Sequence, residues 1–214
     1  MQRYFRHVLR DGQPYLRGLR LRHTGQFKTD LKKDWIAITS EQYITTDPPS
    51  FIWQGTTRWF TARNEYVAGR GSLTVRLLGA LPVVHSRGPH FNQGDLLRWL
   101  GGSAWLPTSL LPSQHLVWTA IDDHSARLML THQHQSVSCL ARFNEQDELE
   151  ECEVLGYMDG ATQMPWVGLF AQYRRWHGVL LPTMAEASWV VDGQRQPYAH
   201  FLVQELEYEP LKPF

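Results

Sequence analysis

Apolar and polar residues alternate with a period of two along most of this chain. Leu19, Leu21 and Phe27 alternate with Arg20, Arg22 and other polar residues, the pattern of a strand with one face on a core and one face in water. Short turns favour antiparallel neighbours, and a sheet of about ten twisted strands tends to curl or split. The same pattern predicts further strands at 35–46, 51–58, 65–78, 116–121, 126–131, 137–143, 149–157, 164–173, 185–191 and 198–209.

Two segments have helical rather than alternating spacing. Residues 2–10 predict a short helix that ends before Gly12 and Pro14. The main helix is predicted from Asn92, a suitable N-cap, with Asp95 in its first turn. Its apolar face is supplied by Leu96, Leu97, Trp99 and Leu100, and Gly101 and Gly102 end it.

The segment 105–112 is rich in apolar residues and is interrupted by Pro107 and Pro112. An apolar segment of this density is costly to expose, and the prolines exclude a regular helix or a central strand. We therefore expect it to press Trp105 and Leu110 onto the sheet. The predicted fold class is mainly β, a single domain over 1–214 in which a curved antiparallel sheet forms a half-barrel around one main helix.

A half-barrel of this kind has two possible interiors. The helix and the segment 105–112 either fill it completely, or they line an apolar cavity of the type in which ligands bind. In the second case, Trp99, Trp105, Leu110 and Trp118 are the predicted contacts of a hydrophobic or amphiphilic, lipid-like ligand. Nine tryptophans fit either use, because large amphipathic rings occur in cores and around cavities.

Composition excludes some partners. The 21 basic and 21 acidic residues cancel, so no global field attracts nucleic acid. There is no run of 18 apolar residues and no signal-peptide h-region at the N-terminus, so we expect no membrane span and a cytoplasmic protein. A chain trimmed of a signal or an anchor would look the same, which leaves a periplasmic or membrane-anchored location open.

An enzyme is the alternative function. Its polar groups would have to gather from distant strands, and the candidates are Glu41, His85, Asp122 and His124. No residue is assigned a catalytic role, because the sequence has no GxSxG elbow, no Walker loop and no GxGxxG fingerprint. No cofactor is expected.

His132 and His134 have a spacing that two metal ligands can use. A metal site needs three or four converging ligands, and no further ligand pair has suitable spacing. We therefore predict no metal site and interpret both histidines as exposed loop residues.

Cys139 and Cys152 are the only cysteines, too few for a disulfide scaffold. They fall on a predicted hairpin whose register places them opposite or nearly opposite each other, and in a cytosolic protein they would be reduced. The same hairpin is acidic between Glu145 and Glu153, whereas the first 33 residues are rich in Lys and Arg. These two charged regions can attract each other or pair between subunits of a homo-oligomer.

Six segments of the chain together match one known pattern: PPSFIWQG (48–55), GRGSLTVRLLG (69–79), WLPTSLLP (105–112), VWTAIDD (117–123), GVLLPTMAEASW (178–189) and PYAHFLVQELEY (197–208). They resemble a bacterial family of domains of unknown function with a LolA-like fold, the fold of lipoprotein carriers. The likeness spans nearly the whole chain. It implies a curved antiparallel sheet with helices across its concave side, and an amphiphilic or acyl ligand.

Two features depart from that family. An acidic residue commonly stands three positions before the tryptophan of the central motif, and here that position is Gly102. Any role of that acid is therefore absent or moved. Many relatives also have an export or anchor segment, which this sequence does not show.

Overall fold

The computed structural model describes residues 1–158, 162–209 and 212. Its regular elements agree with the alternating pattern, with strands for most of the chain and one main helix. In chain order they are α1 (Gln2–Val8), β1 (Gly18–Phe27), β2 (Ile36–Thr45), β3 (Ser50–Thr56), β4 (Phe60–Val67), β5 (Arg70–Leu77), β6 (Leu81–Arg87), α2 (Pro89–Gly102), β7 (Leu116–Ala120), β8 (Ser125–His132), β9 (Gln135–Phe143), β10 (Leu149–Tyr157), β11 (Gln163–Trp176), β12 (Val179–Val191) and β13 (Gln194–Tyr208).

The strands form one antiparallel sheet in the order β6-β5-β4-β3-β2-β1-β13-β12-β11-β10-β9-β8-β7. It consists of two meanders, β1–β6 and β7–β13, which meet where β1 pairs with β13. The sheet is curved, and its outer strands β6 and β7 do not close it into a barrel. The predicted fold class is therefore confirmed.

Helix α2 crosses the concave side of the sheet because it belongs to the segment that joins the two outer strands. Two short 3-10 turns, Ser103–Trp105 and Pro107–Leu110, follow it. The apolar residues of helix and turns are buried among the inward-facing residues of both meanders. This is the expected arrangement of a sheet wrapped around one helix and an apolar insert.

The two arms of the curled sheet touch at one end. There, the side-chain amide of Gln135, at the start of β9, donates to the carbonyl of Gly69, between β4 and β5, at 3.1 Å. Helix α1 docks on the second meander, where Arg3 pairs with Asp147 at 3.0 Å. The attraction expected between the basic N-terminal region and the acidic hairpin is thus found within one chain.

The start of the main helix was predicted wrongly. It begins at Pro89, for which the first position of a helix is favourable because proline has no N–H to satisfy. Asn92 lies inside the helix, and its Oδ1 accepts a hydrogen bond from the Gly71 N–H at 2.8 Å. Asp95 is consequently buried on the inner side of α2 and is not a first-turn residue.

The single strand predicted over 65–78 is also wrong. Ala68 and Gly69 have positive φ values of 50° and 76° and form a turn that divides it into β4 and β5. Strand β6 had no predicted counterpart. All but one of its seven residues are exposed, so neither face of the strand is buried and its apolar residues show no alternation.

The predicted cysteine hairpin is present as β9 and β10, with Cys152 opposite Ala141 and therefore diagonal to Cys139. Both thiols are free and buried. Contact with the Cys139 thiol, followed by burial, raises the pKa of Cys152 well above its usual value. In the described part of the chain, no helix has both the length and the apolar character needed to cross a membrane. The cytoplasmic location stays a prediction.

Candidate functional site

Arg98 lies on the side of α2 that faces the sheet. Its guanidinium carbon is 4.8 Å from the centre of the Trp53 ring and 5.3 Å from that of Phe51. The two rings share the inner face of β3 because they are two positions apart. Nη1 of Arg98 donates to Oδ1 of Asn64, on β4, at 2.6 Å. A cation at this distance from aromatic faces is attracted by the negative charge of the ring faces.

Asn64 joins this arginine to a carboxylate. Its amide nitrogen donates to Asp95 Oδ1 at 2.9 Å and to the carbonyl of Ser72 at 3.1 Å. Asp95 Oδ2 has no hydrogen-bond partner among the described residues. Burial raises the pKa of Asp95 to about 6, although the Asn64 hydrogen bond and the charge of Arg98 oppose the rise. Burial also lowers the pKa of Arg98.

His23 approaches the same arginine from β1. It is 3% exposed, and its Nδ1 lies 3.2 Å from the Ser40 hydroxyl oxygen. Its Nε2 has no hydrogen-bond partner within the described residues. Burial, and then the positive charge of Arg98, lower the pKa of His23 to about 3. The imidazole is therefore neutral near pH 7.

We call these five residues, Arg98, Asp95, Asn64, His23 and Ser40, the Arg98 cluster. Within the described residues, Arg98 forms no salt bridge, because Asn64 lies between its guanidinium and the carboxylate of Asp95. A guanidinium without a direct carboxylate partner, on an otherwise largely apolar inner face, is suited to an anionic ligand group.

Aromatic rings surround the Arg98 cluster. The Phe201 ring is 5.4 Å from His23 and 6.4 Å from Trp53, and the Trp105 ring is 5.2 Å from His23. Ring pairs at these separations are in favourable contact. Trp105 thus places the segment after α2 directly against the cluster.

A second aromatic group continues along the sheet. Trp166 donates its indole N–H to the Tyr198 hydroxyl at 2.9 Å, and the Trp189 ring stacks on Tyr198 at 6.4 Å. These three side chains are only partly buried. The positive charge of Arg98 reaches Tyr198 and opposes the rise that burial causes in the tyrosine pKa. The inner face therefore carries accessible aromatic surface close to one guanidinium.

Residues 1–201 match the profile of a family of unknown function, DUF6544. The chain belongs to this family. The predicted membership in a family of domains of unknown function is thus confirmed. No curated protein matches the DUF6544 chain significantly.

Solved structures similar to the DUF6544 chain have low sequence identity to it. A LolA superfamily protein from Nitrosomonas europaea is 11% identical, with 92% of this chain and 88% of that chain covered and a TM-score of 0.46. A domain named as an outer membrane lipoprotein-sorting protein, from Vibrio parahaemolyticus, is 8% identical, with coverages of 97% and 90% and a TM-score of 0.48. A DUF1329 family protein from Desulfovibrio piger is 9% identical, with coverages of 97% and 91% and a TM-score of 0.44. Similarities of this size carry no information on a ligand.

The four predicted ligand-binding residues lie in or against the packed core of the DUF6544 chain. Trp99, Trp105 and Leu110 are buried, and Trp118 is partly buried. Ligand contact at these four positions stays a prediction, and Trp105 is the one that adjoins the Arg98 cluster. The indole N–H groups of the tryptophans donate to the carbonyls of Thr45, Pro182 and Leu110 at 2.8, 2.9 and 2.8 Å.

Two open clefts, of about 380 and 390 Å³, lie on either side of the β4–β5 hairpin near the start of α2. Arg70 and Asn92 line both of them, and neither is lined by a residue of the Arg98 cluster. Their lining has few large apolar side chains, whereas an acyl chain needs continuous apolar surface. They do not match the predicted apolar cavity.

The four predicted polar residues are not gathered into one site. Asp122 and His124 share the turn between β7 and β8, where the His124 N–H donates to Asp122 Oδ1 at 2.8 Å. Glu41 lies on β2 and pairs with Arg22 at 3.0 Å, and His85 is exposed on the outer strand β6. The arrangement of Asp122 and His124 is the turn chemistry of aspartate at a hairpin corner.

His132 ends β8, and His134 lies in the turn that follows. Within the described residues there is no group of three or more histidine, cysteine, aspartate or glutamate side chains able to hold a metal ion.

The Arg98 cluster was not predicted from the sequence. Part of the signal was present, because His23 continues the inward alternation of Leu19 and Leu21 and so falls on the core face of β1. Arg98 gave no such signal, because one charged residue on an amphipathic helix usually faces water.

Proposed function

We propose that this protein is a non-enzymatic binding module for an amphiphilic, lipid-like ligand with an anionic head group. One observation carries the proposal. The guanidinium of Arg98 lies on the inner face against two aromatic rings, with an amide rather than a carboxylate as its polar partner. A partly desolvated cation of this kind is costly to hold alone, and an anionic head group would supply the missing partner.

The apolar part of the ligand would lie along the aromatic surface beside Arg98. Trp166, Trp189 and Tyr198 leave ring surface accessible there. Covering it with an acyl chain would stabilise the complex by about 0.8 kcal/mol for each buried CH₂ group. Trp105 closes the other side of the cluster, so a longer chain would reach the predicted contacts Trp99 and Leu110 only by displacing part of the insert.

The test is binding of cis-parinaric acid, a fluorescent fatty acid, and of its uncharged methyl ester to delipidated protein. We expect the wild type to prefer the acid. In Arg98→Met, affinity for the acid should fall by about tenfold or more, because a hydrogen bond to a charged group contributes about 1.5–3 kcal/mol. Affinity for the ester should be retained. Arg98→Lys keeps the charge and should show an intermediate preference.

Arg174→Met is the matched control, since Arg174 is exposed on β11. If neither probe binds wild-type protein, or if Arg98→Met keeps the preference for the acid, the proposal is wrong. Failure of both probes would favour the alternative of a structural or interaction domain with a filled interior.

A further inference from the structure

Two neighbouring turns of the first meander carry exposed apolar side chains. Trp59, between β3 and β4, is 55% exposed, and Leu78, between β5 and β6, is 79% exposed. The Leu78 N–H donates to the Trp59 carbonyl at 2.9 Å, so the two turns form one surface. Leu77 and Leu81 are also exposed and face each other across the second turn. We call these four residues, Trp59, Leu77, Leu78 and Leu81, the apolar tip.

The fold gives no reason for a leucine at position 78. Leu78 and Gly79 have φ values of 48° and 74°, the left-handed pair for which hairpin turns prefer Asn-Gly. A leucine there is strained, and with most of its side chain in water it gains little packing in return. A partner that accepts an apolar side chain would account for it.

The surroundings of the apolar tip are basic. The Arg58 guanidinium lies 4.9 Å from the centre of the Trp59 ring, and Arg76 is exposed next to Leu77. In the sequence, no aspartate or glutamate occurs from Tyr66 to Gly94. The two turns therefore combine aromatic, aliphatic and positively charged groups, and Glu65, towards the other end of β4, is the only acidic residue between Asp47 and Asp95.

We propose that the apolar tip docks the protein on an anionic lipid bilayer. Tryptophan is favoured at the level of the lipid head groups, where its ring is apolar and its N–H is polar. The leucines would enter the boundary of the acyl region. Arg58 and Arg76 would lie among the phosphates, and each such residue strengthens binding to an anionic surface by about fivefold.

A protein partner that adds a strand to the sheet edge fits less well. Pro82 in the outer strand β6 has no N–H to donate, and the pairing of β5 with β6 is irregular between Val75 and Arg76. Both features make a strand edge a poor template for another chain. A bilayer needs no free main-chain groups.

The test is co-flotation of the 214-residue chain with phosphatidylcholine vesicles, with and without phosphatidylglycerol. We expect the protein to float only with the anionic vesicles and to be released by added salt. Leu78→Asn should lower vesicle binding while keeping or raising the melting temperature, because it installs the preferred turn residue. Arg58→Gln and Arg76→Gln should each weaken binding by about fivefold.

Leu155→Asn and Arg127→Gln are the controls, since both residues are exposed on the second meander, and each should bind vesicles as the wild type does. Arg98→Met should also keep vesicle binding, which separates this inference from the ligand proposal. Equal binding of Leu78→Asn and the wild type would overturn the inference. So would a homo-oligomer, seen by sedimentation without vesicles, that Leu78→Asn dissociates, because the tip would then contact a second copy.

Discussion

Protonation of His23 and protonation of Asp95 have opposite effects on the stability of the folded protein. The pKa of His23 in the folded protein is about 3, below its ordinary value of 6.5. The folded state therefore loses stability as the pH falls from 6.5 to about 3. Asp95 has a folded pKa of about 6, above its ordinary 3.8, so the folded state gains stability as the pH falls through that narrower range. The pH range affected by His23 is wider than that affected by Asp95, so the two groups together lower the free energy of unfolding in acid.

His23→Asn should remove this loss. Asparagine can keep a polar contact with Ser40 without the positive charge that histidine acquires below its ordinary pKa of 6.5. Since one pKa unit corresponds to about 1.4 kcal/mol, protonation of His23 alone costs several kcal/mol, and the opposing gain at Asp95 reduces the net loss of the wild type to about 2 kcal/mol. Urea unfolding across this pH range measures the difference.

Asp95→Asn is the opposing control for this pH dependence. It removes the carboxyl group that gains a proton and keeps His23, so it should lose stability in acid more steeply than the wild type. Parallel pH curves for wild type and His23→Asn would contradict the assignment of the acid response to His23.

The same two residues show what one sequence can and cannot predict at this scale. The inward position of His23 follows from strand alternation alone. Its pKa is lowered first by burial and then by Arg98, which is 75 positions away in the sequence and reaches it only when α2 crosses the sheet. Contacts of this kind depend on the path of the connecting segment, which no local pattern determines.

Helix α2 packs against β5 at Gly71. A Cβ atom at Gly71 would come within 2.4 Å of both Asp95 Oδ2 and the Phe91 carbonyl oxygen, and the second of these is main chain that cannot swing aside. The absence of a side chain at this position therefore sets how closely the helix approaches the sheet.

Gly71→Ala should push α2 away from β5 and destabilise the protein by about 1–3 kcal/mol, the usual cost of overpacking. Gly94→Ala is the matched variant on the helix itself. A Cβ atom there meets nothing within 4 Å, so it should stabilise by about 0.5–1 kcal/mol through helix propensity. Thermal unfolding should show a lower melting temperature for Gly71→Ala and a higher one for Gly94→Ala. Equal effects would contradict the close approach at Gly71.

At the level of elements, alternation predicted most of the strands that have one buried face, but it left out the first half of β4 and merged the rest with β5, and it missed β6, which has no buried face. The alternation in β2 or β9 follows directly from a core on one side of the sheet. Strand β6 lies at the edge of the sheet and has no buried face, so apolar and polar residues do not alternate along it. The start of α2 was missed because the polar residue Asn92 is a good N-cap in isolation, whereas its side chain here bonds to β5.

At the scale of the whole molecule, the two meanders share one core. The residues of α2 and the following insert are buried together with inward-facing residues of both β1–β6 and β7–β13. Either meander without the insert would expose a broad apolar face, which is unfavourable by about 25 cal/mol for each Å². We therefore expect the predicted single domain to unfold as one cooperative unit.

Ile44→Ala on β2 and Leu128→Ala on β8 test this cooperativity from opposite meanders. Each removes a buried side chain and should lower the unfolding free energy by about 2–5 kcal/mol. Because the core is shared, each should shift one common urea transition, with tryptophan fluorescence and far-ultraviolet circular dichroism remaining coincident. Met129→Ala, at an exposed position beside Leu128, should leave the midpoint nearly unchanged. Two separate transitions, each responding to only one of the core variants, would show instead that the meanders fold independently and that α2 belongs to one of them.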